Sequence, residues 1–343
     1  MSLYARALRP VSLALGRSPR VQRLLARRRA RPVEGEVLDG ALAAMMRLDD
    51  FLGESDYRGC TPPAARARLA RSVAAVDGDP VLGVAARAEV LAGRPARLYT
   101  PDGLPAPSPG LLFFHGGGFV TGDLDTHDRL CRRLAEVARV RVVALDYRLA
   151  PEHPYPAAVD DAVAGFRALS ADAGRLGIDP RRIGVAGDSA GGNLSAVVAR
   201  RLRGDPAPPA VAALIYAAVD LTRSSRSHEI FANGYLLTRE MLDWFMDRYL
   251  GAGHAAVREP DVSPLLAADP GGVCPHRVYT AHFDPLRDEA EAYGRRLADA
   301  GVRVAVRRFP TLLHGFTLIC GVSRAAADAT DAIGRDLGEA LSM

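Results

Sequence analysis

Two observations predict an α/β fold on a mostly parallel sheet. Short β-rich runs alternate with helical windows over most of the chain, a pattern that puts crossover helices on both faces of a parallel sheet. The interval 221–267 interrupts that alternation with a helical pattern of its own (Leu242, Phe245, Met246, Tyr249 and Leu250) set between polar and Gly/Pro segments. An insertion of this kind, together with helices near the N-terminus, predicts a cap over the strand ends. At 343 residues and 48% apolar composition the chain can bury a large core, and its length suits one large domain with an accessory layer as well as two domains.

Residues 1–35 read as a basic arm. The first 33 residues hold nine Arg and no Asp or Glu, so the overall charge of +4 conceals a mildly acidic body. Leu3, Tyr4, Leu8, Val11 and Leu15 recur near helical spacing with Arg between them, while Pro10 and Pro19 divide the segment into short helices. Three readings compete for the arm: an amphipathic helix packed on the body, an arm that is loose or lies on a membrane surface, and a targeting peptide.

Residues 36–80 are expected to contribute cap helices, because Leu42, Met45, Met46, Leu48, Phe51 and Leu52 recur at helical spacing. Core residues 81–220 then supply strands at Ala96–Tyr99, Gly110–Phe114, Arg141–Leu145, Ile183–Ala186 and Ala210–Tyr216, with helices at Asp125–Arg139, Ala157–Ala173 and Asn193–Leu202. After the cap insertion over 221–267, residues 268–343 return to the core with strands Arg277–Ala281 and Val302–Arg307. No internal repeat is present, and the Pro101 to Gly110 stretch reads as a Pro/Gly-rich loop.

Composition excludes several chemistries. All 44 basic side chains are Arg, so a Schiff-base Lys, a Walker-A Lys and a Ser-Lys dyad are impossible. Cys60, Cys131, Cys274 and Cys320 lie far apart with no CxxC pair and no His at metal-ligand spacing, which predicts buried thiols in a reducing compartment, with a Cys274–Cys320 disulfide as the lesser alternative, and no metal site. No run approaches the roughly 20 apolar residues of a membrane-spanning helix, and Val11–Leu15 is too short for a secretory signal. A cytoplasmic chain with no cofactor and no nucleic-acid partner is expected. Membrane association through the arm, and a homodimer, are left open.

The chemistry-bearing motifs are His115-Gly116-Gly117-Gly118, Gly187-Asp188-Ser189-Ala190-Gly191, Asp284 and His314, in that chain order. Ile183–Ala186 reads as a buried strand and Asn193 onward as a helix, so Ser189 falls on a strand-to-helix turn. Gly187 and Gly191 permit that turn by removing Cβ at the points of closest approach. The amides of Gly116, Gly117 and Ala190 are expected to form a three-donor oxyanion hole, with His115, Gly118 and Asp188 in support. His314 follows the strand Val302–Arg307 and a turn expected at Phe309-Pro310, and is read as the base. Asp284 is read as the acid that orients it, with Asp288 as the fallback.

A Gly-x-Ser-x-Gly run arises by chance in a chain with 33 glycines, but not so readily between a buried strand and a helix. A dinucleotide loop fails on spacing, since Gly122 comes one residue late for GxGxxG. The sequon Asn193-Leu194-Ser195 lies on the expected nucleophile helix and is set aside as a glycosylation site.

Taken with Asp146-Tyr147-Arg148-Leu149-Ala150-Pro151-Glu152-His153-Pro154-Tyr155-Pro156-Ala157, Gly192-Asn193, Asp284-Pro285-Leu286-Arg287-Asp288 and His314-Gly315-Phe316, these motifs make the chain resemble the bacterial hormone-sensitive-lipase-like esterases of the α/β-hydrolase superfamily. The resemblance covers about residues 80 to 340. It implies a twisted, mostly parallel eight-stranded sheet flanked by helices, a helical cap, and a Ser189-Asp284-His314 triad. It also implies hydrolysis of small esters with short to medium acyl groups, without metal or organic cofactor. Phe119 stands where many relatives carry Trp. Amide or carbamate cleavage or detoxification of a specific ester by the same triad, and a non-catalytic ligand-binding protein on the same fold, are the competing expectations.

Overall fold

A computed structural model of the protein describes residues 32–52, 57 and 59–342. The features expected of the arm over residues 1–31 lie outside the described residues. The strands are β1 (Val84–Leu91), β2 (Arg94–Pro101), β3 (Ser108–Phe114), β4 (Arg141–Leu145), β5 (Ile178–Asp188), β6 (Ala212–Ile215), β7 (His276–Phe283) and β8 (Val304–Leu313). They form one eight-stranded sheet in the order β1-β2-β4-β3-β5-β6-β7-β8. Pairing is parallel from β4 through β8 and antiparallel where β2 meets β1 and β4.

Every residue of β3, β4 and β6 is buried, which is why these strands read as continuous apolar runs and not as alternating ones. Side chains of a strand alternate between faces. On one face Leu111 and Phe113 therefore pack with α3 (Asp128–Ala138) and α9 (Arg324–Ser342). On the other, Leu112 and Phe114 pack with α4 (Ala157–Ala171) and α5 (Ala190–Arg201). Helix α8 (Arg287–Asp299) adds Tyr293 and Leu297 to the second core.

The structure extends the sequence reading in three places. Strand β1 was not anticipated: only its end residues Val84 and Leu91 are buried, so the run carries no apolar alternation. It joins β2 through the two-residue loop Ala92-Gly93, both at positive φ, as a tight hairpin requires. Strand β8 does not stop at Arg307 and no turn forms at Phe309-Pro310; the strand runs on to Leu313. Pro310 is accommodated because β8 is an edge strand whose register shifts between Phe309 and Leu313. Helix α9 also escaped detection. Its Gly334 and Gly338 interrupt the periodicity because they face α3 at close range, where a Cβ on Gly338 would lie 2.6 Å from the Ala138 carbonyl oxygen.

The cap helices come from two stretches of chain. Helix α1 (Gly40–Leu52) is capped by Asp39 Oδ1, which accepts from the amides of Ala41 and Leu42. Helix α2 (Pro62–Val76) starts on two prolines, whose missing N–H groups cost nothing in a first turn. The later stretch supplies α6 (Ser227–Ile230) and α7 (Arg239–Tyr249), the latter capped by the Thr238 hydroxyl. The two stretches meet where Tyr57 packs edge-on against Trp244 and Phe245. All four cysteines are free thiols, with no disulfide between Cys274 and Cys320, but only Cys131 is buried as expected, the other three being half-buried; no helix among the described residues is long and apolar enough to cross a membrane.

Two stability predictions follow from this packing. Gly338→Val should destabilise the fold by about 1–3 kcal/mol through overpacking, read as a lower denaturation midpoint with turnover per folded molecule unchanged. His276 is wholly buried at the start of β7, and burial pushes its pKa down to about 4 despite its hydrogen bond to the Cys274 carbonyl. The unfolded chain, with an imidazole near about 6.5, binds the extra proton between those two values. Stability should therefore fall as pH drops from about 6.5 to about 4, and His276→Gln should make that fall shallower in denaturation curves.

Candidate active site

Strand β5 ends at Asp188 and α5 begins at Ala190, leaving Ser189 alone on the turn at φ +55°, ψ −117°. A residue with a side chain is held there only when its surroundings over-determine it. Its N–H donates to the Ile215 carbonyl at 2.8 Å, and its carbonyl accepts from Asn193 and Ala218 at 3.1 and 3.3 Å. A Cβ on Gly191 would fall on the Phe114 carbonyl oxygen, and one on Gly187 would fall on the Gly191 carbonyl, so both glycines are dictated by space. Asn193 is fully buried and donates to the carbonyls of Ala218 and Val262, each at 2.8 Å. Its amide stitches the end of the insertion to the turn.

His314 directly follows β8. Its Nε2 lies 3.0 Å from Ser189 Oγ and its Nδ1 lies 2.9 Å from Asp284 Oδ2. Asp284 is fully buried, and its Oδ1 accepts the Leu286 N–H at 2.8 Å. With Nδ1–H given to the carboxylate, Nε2 is left as the acceptor facing the hydroxyl. Asp288 takes no part in this relay. Its carboxylate accepts from Ser227 N–H at 2.9 Å and Arg287 Nε at 2.7 Å, which fastens α6 to α8. His282, close to Asp284 in sequence, turns instead to the Val33 carbonyl.

The expectation for Gly116 is corrected. Its N–H donates to Asp188 Oδ1 at 2.8 Å and is thereby consumed. The amides of Gly117, Gly118 and Ala190 have no hydrogen-bond acceptor among the described residues, and all three residues line the cavity at Ser189. Gly117 and Gly118 sit at φ +112° and +59°. A Cβ on Gly118 would enter the ring of Phe245.

Behind this loop lies a buried polar cluster. Asp188 is 2% exposed, with His127 Nε2 3.3 Å from its Oδ1. Burial opposes its ionisation, but His127, the Gly116 N–H and His115 together hold it below the usual carboxylate range. His115 stacks on Tyr147 at 4.3 Å, its Nδ1 is 2.7 Å from the Gly116 carbonyl, and its own carbonyl accepts from the Tyr147 hydroxyl at 2.7 Å. Burial and the neighbouring His127 lower its pKa to about 4, so it is neutral near pH 7 and supports the loop.

A second buried pair was missed in the sequence. Glu289 Oε1 accepts the N–H groups of Val219 and Asp220, and its Oε2 lies 2.7 Å from His228 Nε2. Burial raises the Glu289 pKa. Its place one residue beyond Asp284-Pro285-Leu286-Arg287-Asp288 was the available signal. The pair anchors the start of the insertion to the helix that follows Asp284.

Ser189, His314, Gly117, Gly118 and Ala190 open onto one cavity of about 260 Å³. Its remaining walls are mainly apolar, with Leu69 and Val73 from α2 and Met241, Phe245 and Met246 from α7. Such a site can hold a small, largely apolar molecule with a polarised carbonyl against the serine. Among the described residues no group of three or more His, Cys, Asp or Glu side chains is placed to hold a metal ion.

Comparison with known proteins agrees with this geometry. A family profile described as alpha/beta hydrolase fold matches residues 111–318. The carboxylic ester hydrolase LipN of Mycobacterium tuberculosis is 39% identical over 321 residues, covering 90% of this chain and 85% of its own. The ethyl acetate hydrolase of Pseudomonas putida is 40% identical over 226 residues, covering 65% and 71%. Among solved structures, an ester-hydrolase from the metagenome of Lake Arreo, complexed with a derivative of bipyridine phosphonate, superposes with a TM-score of 0.83 at 36% identity and covers 90% of this chain and all of its own. A thermostable esterase from Pseudomonas putida gives a TM-score of 0.83 at 31% identity, covering 89% and 98%. The chain belongs to the α/β-hydrolase family, within its hormone-sensitive-lipase-like branch.

Proposed function

We propose that the protein is a carboxylic-ester hydrolase working through an acyl-serine intermediate. The observation that carries this reading is the continuous relay from Ser189 Oγ to His314 Nε2 at 3.0 Å and from His314 Nδ1 to Asp284 at 2.9 Å, opening onto unengaged amides. Ser189 attacks the ester carbonyl while His314 takes its proton, and the buried Asp284 carboxylate stabilises the imidazolium. The developing oxyanion is received by the N–H groups of Gly117, Gly118 and Ala190. Each such donor is worth about 2.7–4 kcal/mol in the transition state. His314 then protonates the departing alcohol, and a water activated by the same imidazole releases the acid.

The cavity size favours esters with short to medium acyl groups, since about 260 Å³ lies just under the roughly 300–1,000 Å³ range of small-molecule pockets. Names of relatives point the same way, among them the ethyl acetate hydrolase and a carboxylesterase. The complete relay disfavours a purely ligand-binding role. Four free thiols fit a reducing, cytoplasmic setting.

Aryl esters from acetyl to dodecanoyl test the assignment. Turnover should be highest for the short and medium chains, and Ser189→Ala should lose at least about 10⁴-fold in kcat with the fold intact. An aryl phosphonate should label the parent protein and not this variant; turnover retained in Ser189→Ala would sink the proposal. Asp188→Asn should lower kcat by about 10-fold to 100-fold with a smaller change in KM, because it loosens the anchor of the Gly117–Gly118 loop without touching substrate.

A further inference from the structure

Arg66 lies on α2, outside every motif that announced the site, yet its guanidinium makes four hydrogen bonds toward the catalytic loops. Nε donates to the Val120 carbonyl at 2.8 Å and Nη2 to the Ala150 carbonyl at 3.0 Å. Nη1 and Nη2 also grip the two carboxylate oxygens of Glu152 at 2.9 and 2.6 Å. The Arg66 side chain is 30% exposed and Glu152 49%. An Arg-Glu pair so exposed contributes little by itself. The two backbone carbonyls call for another explanation, because only a planar fork of five N–H donors can span three acceptors at once.

Val120 is the informative acceptor. It is fully buried, and its own N–H donates to the Gly117 carbonyl at 3.1 Å. A chain of hydrogen bonds thus runs from Arg66 through the Val120 peptide to Gly117. Ala150, whose carbonyl Arg66 also holds, donates its N–H to the Phe119 carbonyl at 2.9 Å. The segment Gly117–Gly118 is therefore fixed at both ends: by Asp188 on Gly116 from the sheet side, and by Arg66 on Val120 from the cap side. Leu69 and Val73, three and seven residues after Arg66 on the same helical face, line the substrate cavity. One helix both walls the cavity and holds the loop.

We propose that Arg66 is a positioning residue for the ester hydrolysis described above, through which cap helix α2 sets the direction of the Gly117 and Gly118 amides. The inference rests on that reading of Ser189. The clamp acts on the transition state, since the loop amides meet full negative charge only there. Its loss should be felt in kcat and in the affinity for a tetrahedral mimic, and hardly in ground-state binding.

The experiment compares the parent, Arg66→Ala and Arg66→Lys on a soluble aryl ester, with an aryl trifluoromethyl ketone as tetrahedral inhibitor and with thermal denaturation. Arg66→Ala should lower kcat by roughly 10-fold to 100-fold, the scale of a catalytic group displaced by about 1 Å. KM should hold nearly constant, and the ketone should weaken by the same factor as kcat. Arg66→Lys should recover melting temperature more fully than kcat, because an ammonium cannot span three acceptors. Parent values of kcat and of ketone affinity in either variant overturn the proposal, whatever the melting temperature. Should Arg66→Ala fail to fold, Arg66→Lys decides alone. Failure of the underlying assignment looks different: the parent itself would neither turn over ester nor take phosphonate at Ser189.

Discussion

A buried carboxylate holds the centre of this protein together. Asp188 is the last residue of β5, and its acceptor bond to the Gly116 amide ties the end of that strand to the loop leaving its neighbour β3. Without that bond the glycine run would be free to collapse, since each glycine lacks the side chain that would restrict it. With it, one amide becomes structural and the next two are presented to the cavity. The charge is tolerated in the interior because the Gly116 N–H donates to Oδ1 and the Tyr216 hydroxyl to Oδ2, with the His127 ring 3.3 Å away. The strand pair, the glycine loop and the serine turn form one mechanical unit around it.

The strain at Ser189 belongs to the same unit. A non-glycine residue in such a conformation costs of order 1–3 kcal/mol, and the cost is met by packing that admits no relaxation. Gly191 rides directly against the Phe114 carbonyl, Gly192 against Ala217, and Asn193 is bonded on both sides. Most of α5 after the turn is buried, which leaves the helix no room to slide. The hydroxyl is therefore fixed at the mouth of the cavity before any substrate arrives.

Much of this was legible in the sequence, for physical reasons that differ by residue. Central strands such as Gly110–Phe114 declared themselves because both of their faces are covered, so the apolar run is unbroken. Ser189, Asp284 and His314 were legible because each sits just past a strand end in a motif that leaves few alternatives. Which glycine amide does what was not legible. Three consecutive glycines look alike, and the distinction is made by Asp188, distant in sequence. Arg66 was invisible for a related reason: an Arg on an amphipathic helix reads as a solvated charge until the tertiary fold brings two carbonyls under it. Pro310 misled, because its expected turn is absorbed by the irregular register of an edge strand.

The ceiling of the cavity comes from two stretches that are remote in sequence from each other and from much of the floor. Helix α2 precedes the whole sheet and α7 interrupts it after β6, and the chain just before α2 meets α7 where the Trp244 indole donates to the Cys60 carbonyl at 3.3 Å. Selection can therefore reshape the ceiling through Leu69, Val73 or Met241 while the serine, its relay and the glycine loop stay untouched. The limit on that freedom lies where the cap touches the glycine loop: Arg66 of α2 holds the Val120 carbonyl, and the ring of Phe245 from α7 covers Gly118. Substrate range and catalytic power are thus separately heritable over most of the cap and linked where Arg66 and Phe245 meet the glycine loop.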